Sequence, residues 1–495
     1  MALNPQDLLP ETQPPNTHES RTRTVWIVLF WSLPFVLALG QALVMWRLVD
    51  RIAYEEMSES VRNPYWLAHR TLYDSGSTNV SWYAFLLGLY KIFGFHLHLT
   101  RWARLALHVL SMTSAAWLLK RLLGMRRAVI PLCAVALSPT LLYFNAMQAQ
   151  FGLEVQLLPI GIVLLVSFPC ARLARGLVLQ AAFWSLAMVA SLAYPAFGLL
   201  LPALGIAYLV GVRQFCAHRH WSIYAVSLLI GGLAFVLPFG GFAAFLRDPS
   251  ILYQGAFRGG SEGFNTSLTF ILANLSQTFR EFFLKGESYY FTDLPYVEFS
   301  GRLAAISAGL AILASALAVR QRKLRLLLGL AWLTILTTLA ISAMATNLPG
   351  LRRQTPALGA FYVLYALAWR EFGPGRIRTW LVRALAVGLL LLPLHHLYVF
   401  PENAARIRGD GFPPLGDKPV AYLQELTARA VREPIQLRCS SPSDFSCRYP
   451  EVFAAVAGAC QWNHLHCQPI QGYDPQTNRL IRLSTDLWET NYFSH

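Results

Sequence analysis

Apolar stretches of about helix-spanning length recur along this chain from position 25 to position 400, separated by short polar loops and two long ones. An α-helix needs roughly 20 apolar residues to cross the hydrocarbon core of a bilayer. The pattern predicts eleven spans, near 25–47, 100–120, 128–145, 152–168, 176–192, 194–212, 222–246, 301–319, 324–345, 355–370 and 379–399. Two long polar stretches, 50–99 and 247–301, interrupt them. A further apolar run, 81–95, is short for a span and holds Lys91, and counting it as one would invert every later loop. It is expected to lie in the outer interface or re-enter it, a depth that suits Trp82, Tyr83 and Tyr90.

Charge orients the array. Arg21/Arg23, Lys120/Arg121/Arg126/Arg127, Arg172/Arg175, Arg213/Arg219, Arg320/Arg322/Lys323/Arg325 and Arg370/Arg376/Arg378 fall in alternate loops. The positive-inside rule assigns those loops to the cytoplasm. The other loops carry Asp50, Glu55, Glu56, Glu154, Glu262 and Asp293 and face outward. An odd number of spans takes a cytoplasmic N-terminus to an external C-terminus. The net charge of +15 therefore marks topology beside anionic lipid, not nucleic-acid binding. A hydrophobic content of 55% and a mean hydropathy of +0.42 agree with a polytopic membrane protein. Arginine greatly outnumbers lysine, which hints at a GC-rich bacterial genome. The first span is expected to be a retained signal anchor after a disordered cytoplasmic tail, 1–24.

The expected fold class is an all-α polytopic membrane protein with external juxtamembrane helices and a small external α/β domain that contains disulfides. Its membrane domain is 25–400 and its C-terminal domain 401–495, joined through the linker around Gly411 to Gly416. In the latter a helix is predicted over 419–432, with strands near 434–437 and 480–483. Cys133, Cys170 and Cys216 lie in or beside spans and read as small apolar residues. Cys439, Cys447, Cys460 and Cys467 cluster in the last polar segment and read as two disulfides in an oxidising space, with three pairings open. The unit so stapled could bind an acceptor, act as a lid, or serve as a structural cap.

The chemistry-bearing residues sit at the outer ends of helices. Asp50 emerges just after the first span, Glu55 and Glu56 follow, and Glu154 opens the fourth span on the same side. A partly desolvated carboxylate at the interface has the position and basicity to deprotonate an acceptor hydroxyl or amine. Arg352 and Arg353, between spans nine and ten, form the one arginine pair that defies the charge rule. Guanidinium forks match phosphate oxygens, so this pair reads as a phosphate clamp at headgroup depth, with Lys91, His395 and His396 as weaker partners. No acidic or lysine side chain falls mid-span, which counts against an ion-coupled transporter.

Three patterns are set aside. Gly259-Gly260-Ser261-Glu262-Gly263 matches a serine-hydrolase elbow but lacks the strand and helix that elbow needs. Cys460, His464, His466 and Cys467 have no common zinc spacing. The sequons at Asn79, Asn265 and Asn274 have meaning only in a eukaryotic secretory pathway.

With these residues in place, the chain resembles the GT-C class of integral-membrane glycosyltransferases, which includes the aminoarabinose transferases and protein O-mannosyltransferases. That class has a carboxylate just after its first span, here Asp50, then a long external loop with juxtamembrane helices, here the helix from Trp82 to Gly94. Ser77-Thr78-Asn79-Val80-Ser81-Trp82 resembles the segment leading into that helix, and Arg101 and Arg104 resemble the arginine opening the second span. Glu154 sits where the class has its second acid, and Pro349-Gly350-Leu351-Arg352-Arg353 resembles a late external proline–glycine–arginine segment. The usual adjacent acidic pair is absent, because Arg51 follows Asp50, which leaves the base open among Asp50, Glu55 and Glu56. The resemblance implies transfer of a sugar from a polyprenyl-phosphate carrier to a glycan, lipid or protein acceptor. It implies a bacterial inner-membrane enzyme working on the periplasmic side. No cofactor is called for, a divalent metal being left open. The competing expectations are a polymerase or ligase using a diphosphate-linked glycan, and a transporter or lipid flippase.

Overall fold

The computed structural model describes residues 17–46, 58–69, 80–136, 153–167, 267–280, 325–344, 419–437, 449–473 and 480–482, with isolated positions within 178–187 and 357–367 and at 229 and 312. The described part is mostly helical. Helix α1 runs Thr17–Trp46, beginning within the stretch expected to be an unstructured tail. A single π-turn, Ser58–Arg62, leads into the short helix α2, Asn63–His69. Helix α3, Val80–Phe93, forms over the short apolar run 81–95, and α4, Leu99–Leu123, follows it across a short turn. Then come α5, Met125–Ala136; α6, Leu153–Ser167; α7, Leu268–Arg280; and α8, Arg325–Met344. Among the described residues no helix is long and apolar enough to cross a membrane.

Helix α4 is central, packing on α1, α5 and α6. Gly124, at φ +76°, ends it by donating its N–H to the carbonyl of Lys120 at 2.9 Å, and α5 starts at once. A residue with a Cβ adopts that conformation only at a cost, so glycine suits the corner. Pro34, Pro131 and Pro159 lie inside α1, α5 and α6. Each removes one helical hydrogen bond; Pro159 releases the carbonyl of Val155, on the first turn of α6.

The C-terminal unit is α/β, as expected. Helix α9 is Pro419–Ala430 and α10 is Tyr449–Trp462; strands are β1 Ile435–Leu437, β2 Ile470–Tyr473 and β3 Leu480–Arg482. β1 pairs parallel with β2, Ile435 opposite Ile470, and β2 pairs antiparallel with β3, Tyr473 opposite Leu480. The parallel pair needs a crossover, and α10 supplies it. This unit has no core of its own among the described residues. Leu423, Leu426, Ile435, Val452, Val456 and Trp462 share one continuous apolar cluster with Val61, Tyr65, Trp82, Leu86 and Tyr90 from the external helices. Leu153 and Leu157, on the first turns of α6, close the same cluster. A unit this small gains its apolar burial by sitting on the juxtamembrane helices.

Candidate active site at the external end of the helices

Helices α2 and α3 and the π-turn are knit together by two tyrosines, Tyr83 and Tyr90, about two turns apart on α3. Tyr83 accepts a hydrogen bond from Asn63 Nδ2 at 2.9 Å, and Asn63 Oδ1 accepts one from Arg62 Nε at 3.3 Å. Tyr90, fully buried, donates its hydroxyl hydrogen to the carbonyl of Ser60 at 2.7 Å. Burial pushes the Tyr90 phenol well above the ordinary tyrosine value, opposed by a hydrogen bond with the Thr100 side chain. Burial likewise raises Tyr65. Both stay neutral donors at ordinary pH. Ser58 lies two residues past Glu56, so this docking fixes the segment that follows the two glutamates.

Helix α4 turns its polar side inward. Thr100, Arg101, Arg104, His108 and Ser111 are buried, continuing along the same face to Met112, Ala115 and Leu119. The spacing of three and four residues places them on one stripe. Trp102, Ala106 and Leu110, four residues apart, are exposed. Arg101 is 4% exposed and Arg104 0%. The Arg104 guanidinium carbon stands 5.5 Å from the centroid of the Trp82 ring on α3. Gln156, also buried, comes from the first turn of α6, which packs on α4. The opposite end of α4 is different. Lys120 and Arg121 are exposed and lie over tryptophan rings, Lys120 Nζ at 5.5 Å from Trp31 and Arg121 Cζ at 3.9 Å from Trp117.

Of the residues singled out from sequence, Glu154 is the second residue of α6, whose neighbours Leu153 and Leu157 pack beneath the external helices. Lys91 is exposed in the last turn of α3, beside exposed Ile92 and Phe93. Asp50, Glu55, Glu56, Arg352, Arg353, His395, His396, Cys439 and Cys447 lie outside the described residues. Cys460 and Cys467 form a disulfide, one of the pairings left open, and thiols so joined do not serve as zinc ligands. Cys133 is a free thiol in α5. His108, Ser111 and Gln156 were not picked out from sequence. The signal for His108 was its register, four residues after Arg104 and seven after Arg101 on a helix otherwise apolar at that depth.

These features define a helical bundle whose polar, arginine-bearing face meets a set of external helices capped by a small α/β unit. A solved structure of ArnT from Cupriavidus metallidurans bound to undecaprenyl phosphate shares this fold, with a TM-score of 0.50 and 14% identity over 92% of this chain and 94% of that one. A second structure of the same ArnT, in the apo state, gives a TM-score of 0.45 at 14% identity, covering 89% of this chain and 78% of that one. No protein-family model matches, and no curated protein matches. The likeness is one of fold, and it bears out the GT-C resemblance drawn from the sequence.

Proposed function

We propose that this chain is an integral-membrane glycosyltransferase that moves a sugar from a polyprenyl-phosphate carrier to an acceptor at the external face of a bacterial inner membrane. The observation that carries this reading is the burial of Arg101 and Arg104 where α4 meets the external helices. Ionisable side chains buried in a membrane protein mark substrate pathways, and a guanidinium suits the oxygens of an anionic substrate. A lipid phosphate arriving from the outer leaflet meets α4 at that level. The fold shared with a protein solved with undecaprenyl phosphate supports the same ligand class.

In this mechanism Asp50, Glu55, Glu56 or Glu154 takes the proton from the acceptor hydroxyl or amine. The acceptor atom attacks the anomeric carbon as the bond from that carbon to the phosphate oxygen breaks, and the lipid phosphate leaves. Arg352, Arg353 and Lys91, together with Arg101 and Arg104, balance the charge on the departing phosphate. The eleven-span topology, the periplasmic orientation and the division into 1–24, 25–400 and 401–495 belong to this reading. The test is transfer from a short-chain polyprenyl-phosphate sugar by purified protein. Asp50→Asn or Glu154→Gln is expected to cut turnover by roughly a hundredfold or more with folding intact. Near-normal rates in both would move the base to Glu55 or Glu56. Lipid flux without covalent transfer would replace the reading with a flippase.

A further inference from the structure

The last turn of α10 grips the turn between α3 and α4. Asn463 Oδ1 accepts the backbone N–H of Phe95 at 2.7 Å, while its Nδ2 donates to the Phe95 carbonyl at 3.3 Å. One side chain thus satisfies both backbone groups of one residue, as a neighbouring strand would. Trp462 stacks on Tyr90 with centroids 4.9 Å apart and planes at 23°, and reaches Phe95 at 5.7 Å and Tyr65 at 6.0 Å. Two glycines make the fit possible. A Cβ on Gly94 would meet Asn463 Oδ1 at 2.6 Å, and one on Gly458 would meet the Trp462 ring at 2.8 Å.

The disulfide encloses this grip. Cys460 and Cys467 flank Trp462 and Asn463, and inside the loop the chain reverses through His464 at φ 55° with Leu465 N–H bonded to the Cys460 carbonyl at 2.8 Å. Beyond Phe95 the chain turns once, Leu99 N–H to His96 carbonyl at 2.9 Å, and enters α4 at Thr100 and Arg101. The grip therefore sits one short turn from the buried arginines.

The geometry points to Asn463 as a positioning residue, held by the Cys460–Cys467 loop, that sets how α4 enters the bundle and so how Arg101 and Arg104 meet an anionic lipid headgroup. This rests on the proposed transfer for its kinetic consequence, but not for its structural one. Loss of the grip is expected to weaken the headgroup site and leave the chemical step nearly alone.

The test uses the full-length protein in detergent, comparing wild type, Asn463→Ala, Asn463→Asp and the double variant Cys460→Ser/Cys467→Ser, each with and without dithiothreitol. The dithiol gives two electrons and two protons to the disulfide, leaving two thiols, and is itself oxidised to a cyclic disulfide. Three readouts are taken: affinity for short-chain polyprenyl phosphate, the donor KM against kcat, and release of the C-terminal unit by limited proteolysis. Asn463→Ala should weaken phosphate binding and raise the donor KM by about tenfold, a part of what the lost pair of hydrogen bonds contributes to docking, with kcat within about twofold. Asn463→Asp, which keeps the acceptor, should recover part of the affinity. Reduction should shift wild type the same way and change neither Asn463→Ala nor the double serine variant further. Unchanged phosphate affinity and donor KM in Asn463→Ala would overturn the inference, as would additive effects of reduction and Asn463→Ala. If no transfer is found yet proteolysis and phosphate affinity still follow the reduction pattern, the proposed function fails and the grip stands.

Discussion

Replacing Gly94 by alanine tests the docking of the C-terminal unit with a magnitude that follows from the geometry. Gly94 has φ +76°, where an L side chain costs roughly 1–2 kcal/mol. The added Cβ would also lie 2.6 Å from Asn463 Oδ1, too close for that side chain to stay. Asn463 would swing away and lose both bonds to Phe95, each worth about 1 kcal/mol. Gly94→Ala is thus expected to destabilise the docked state by about 3–4 kcal/mol, the sum of these two costs. Asn463→Ala alone loses only the bonds, about 2 kcal/mol. The double variant pays the backbone cost and loses the bonds once, so it should match Gly94→Ala, with a coupling of about 2 kcal/mol. Brief proteolysis of detergent-purified protein across a urea series, reading release of the C-terminal unit, measures all three. Additive effects would refute the contact between Gly94 and Asn463, and a neutral Gly94→Ala would refute the turn itself.

Four further outcomes are expected. Burial raises the Tyr90 phenol, so the folded chain keeps a proton that the unfolded chain releases above about pH 10. The linked stability is complete below that value and falls as pH rises toward the folded value; urea midpoints at pH 9 and 11 should show the fall, smaller in Tyr90→Phe. His464 occupies the left-handed region that glycine accepts freely, so His464→Gly should stabilise the fold by about 0.5–1 kcal/mol after the cost of a more flexible unfolded chain, read as a higher urea midpoint. Arg352→Lys and Arg353→Lys keep charge but lose the bidentate fork, and should weaken polyprenyl-phosphate binding less than the alanines do, measured by titration. A cysteine at position 410 should label from outside the cell and one at 323 only from inside; labelling of 323 from outside would make the 81–95 helix a full span.

The helix over 81–95 was legible for a simple reason. Residues 81–95 are too short and too charged to span yet too apolar for a loop, and α3 occupies Val80–Phe93. The apolar run 100–120 was equally plain as a helix, and α4 fills Leu99–Leu123. The strands at either end of the C-terminal unit were read near 434–437 and 480–483, and β1 and β3 form there. Its middle was not. Strand β2 reads Ile470-Gln471-Gly472-Tyr473, broken by a glycine, and it forms because β1 and β3 flank it on both sides. Helix α10 carries many alanines and a glycine, a composition that gives weak periodicity, and Gly458 leaves room for the ring of Trp462 at the end of the same helix. Asn463 was illegible for a deeper reason. Its partner, Phe95, is 368 residues away, and nothing local distinguishes a side chain that pairs at that distance.

The burial of Arg101 and Arg104 was hidden by the same charge rule from which a topology was read. Counting arginines treats each as a solvated cation, and at the far end of α4 that is what they are: Lys120 and Arg121 are exposed, their charges held over Trp31 and Trp117. At the near end the same residue type is enclosed by α3 and α6, facing inward with His108 and Gln156. One helix thus carries cations for two reasons. Those at its Gly124 end are exposed, and exchanging them for other cations should leave phosphate affinity where it is. Those at its Thr100 end are desolvated, and a desolvated guanidinium is retained at a cost of several kcal/mol only where an opposite charge or a fixed set of acceptors answers it. Burial, not count, separates an orienting arginine from a binding one, and the turn gripped by Asn463 decides into which environment Arg101 and Arg104 are delivered.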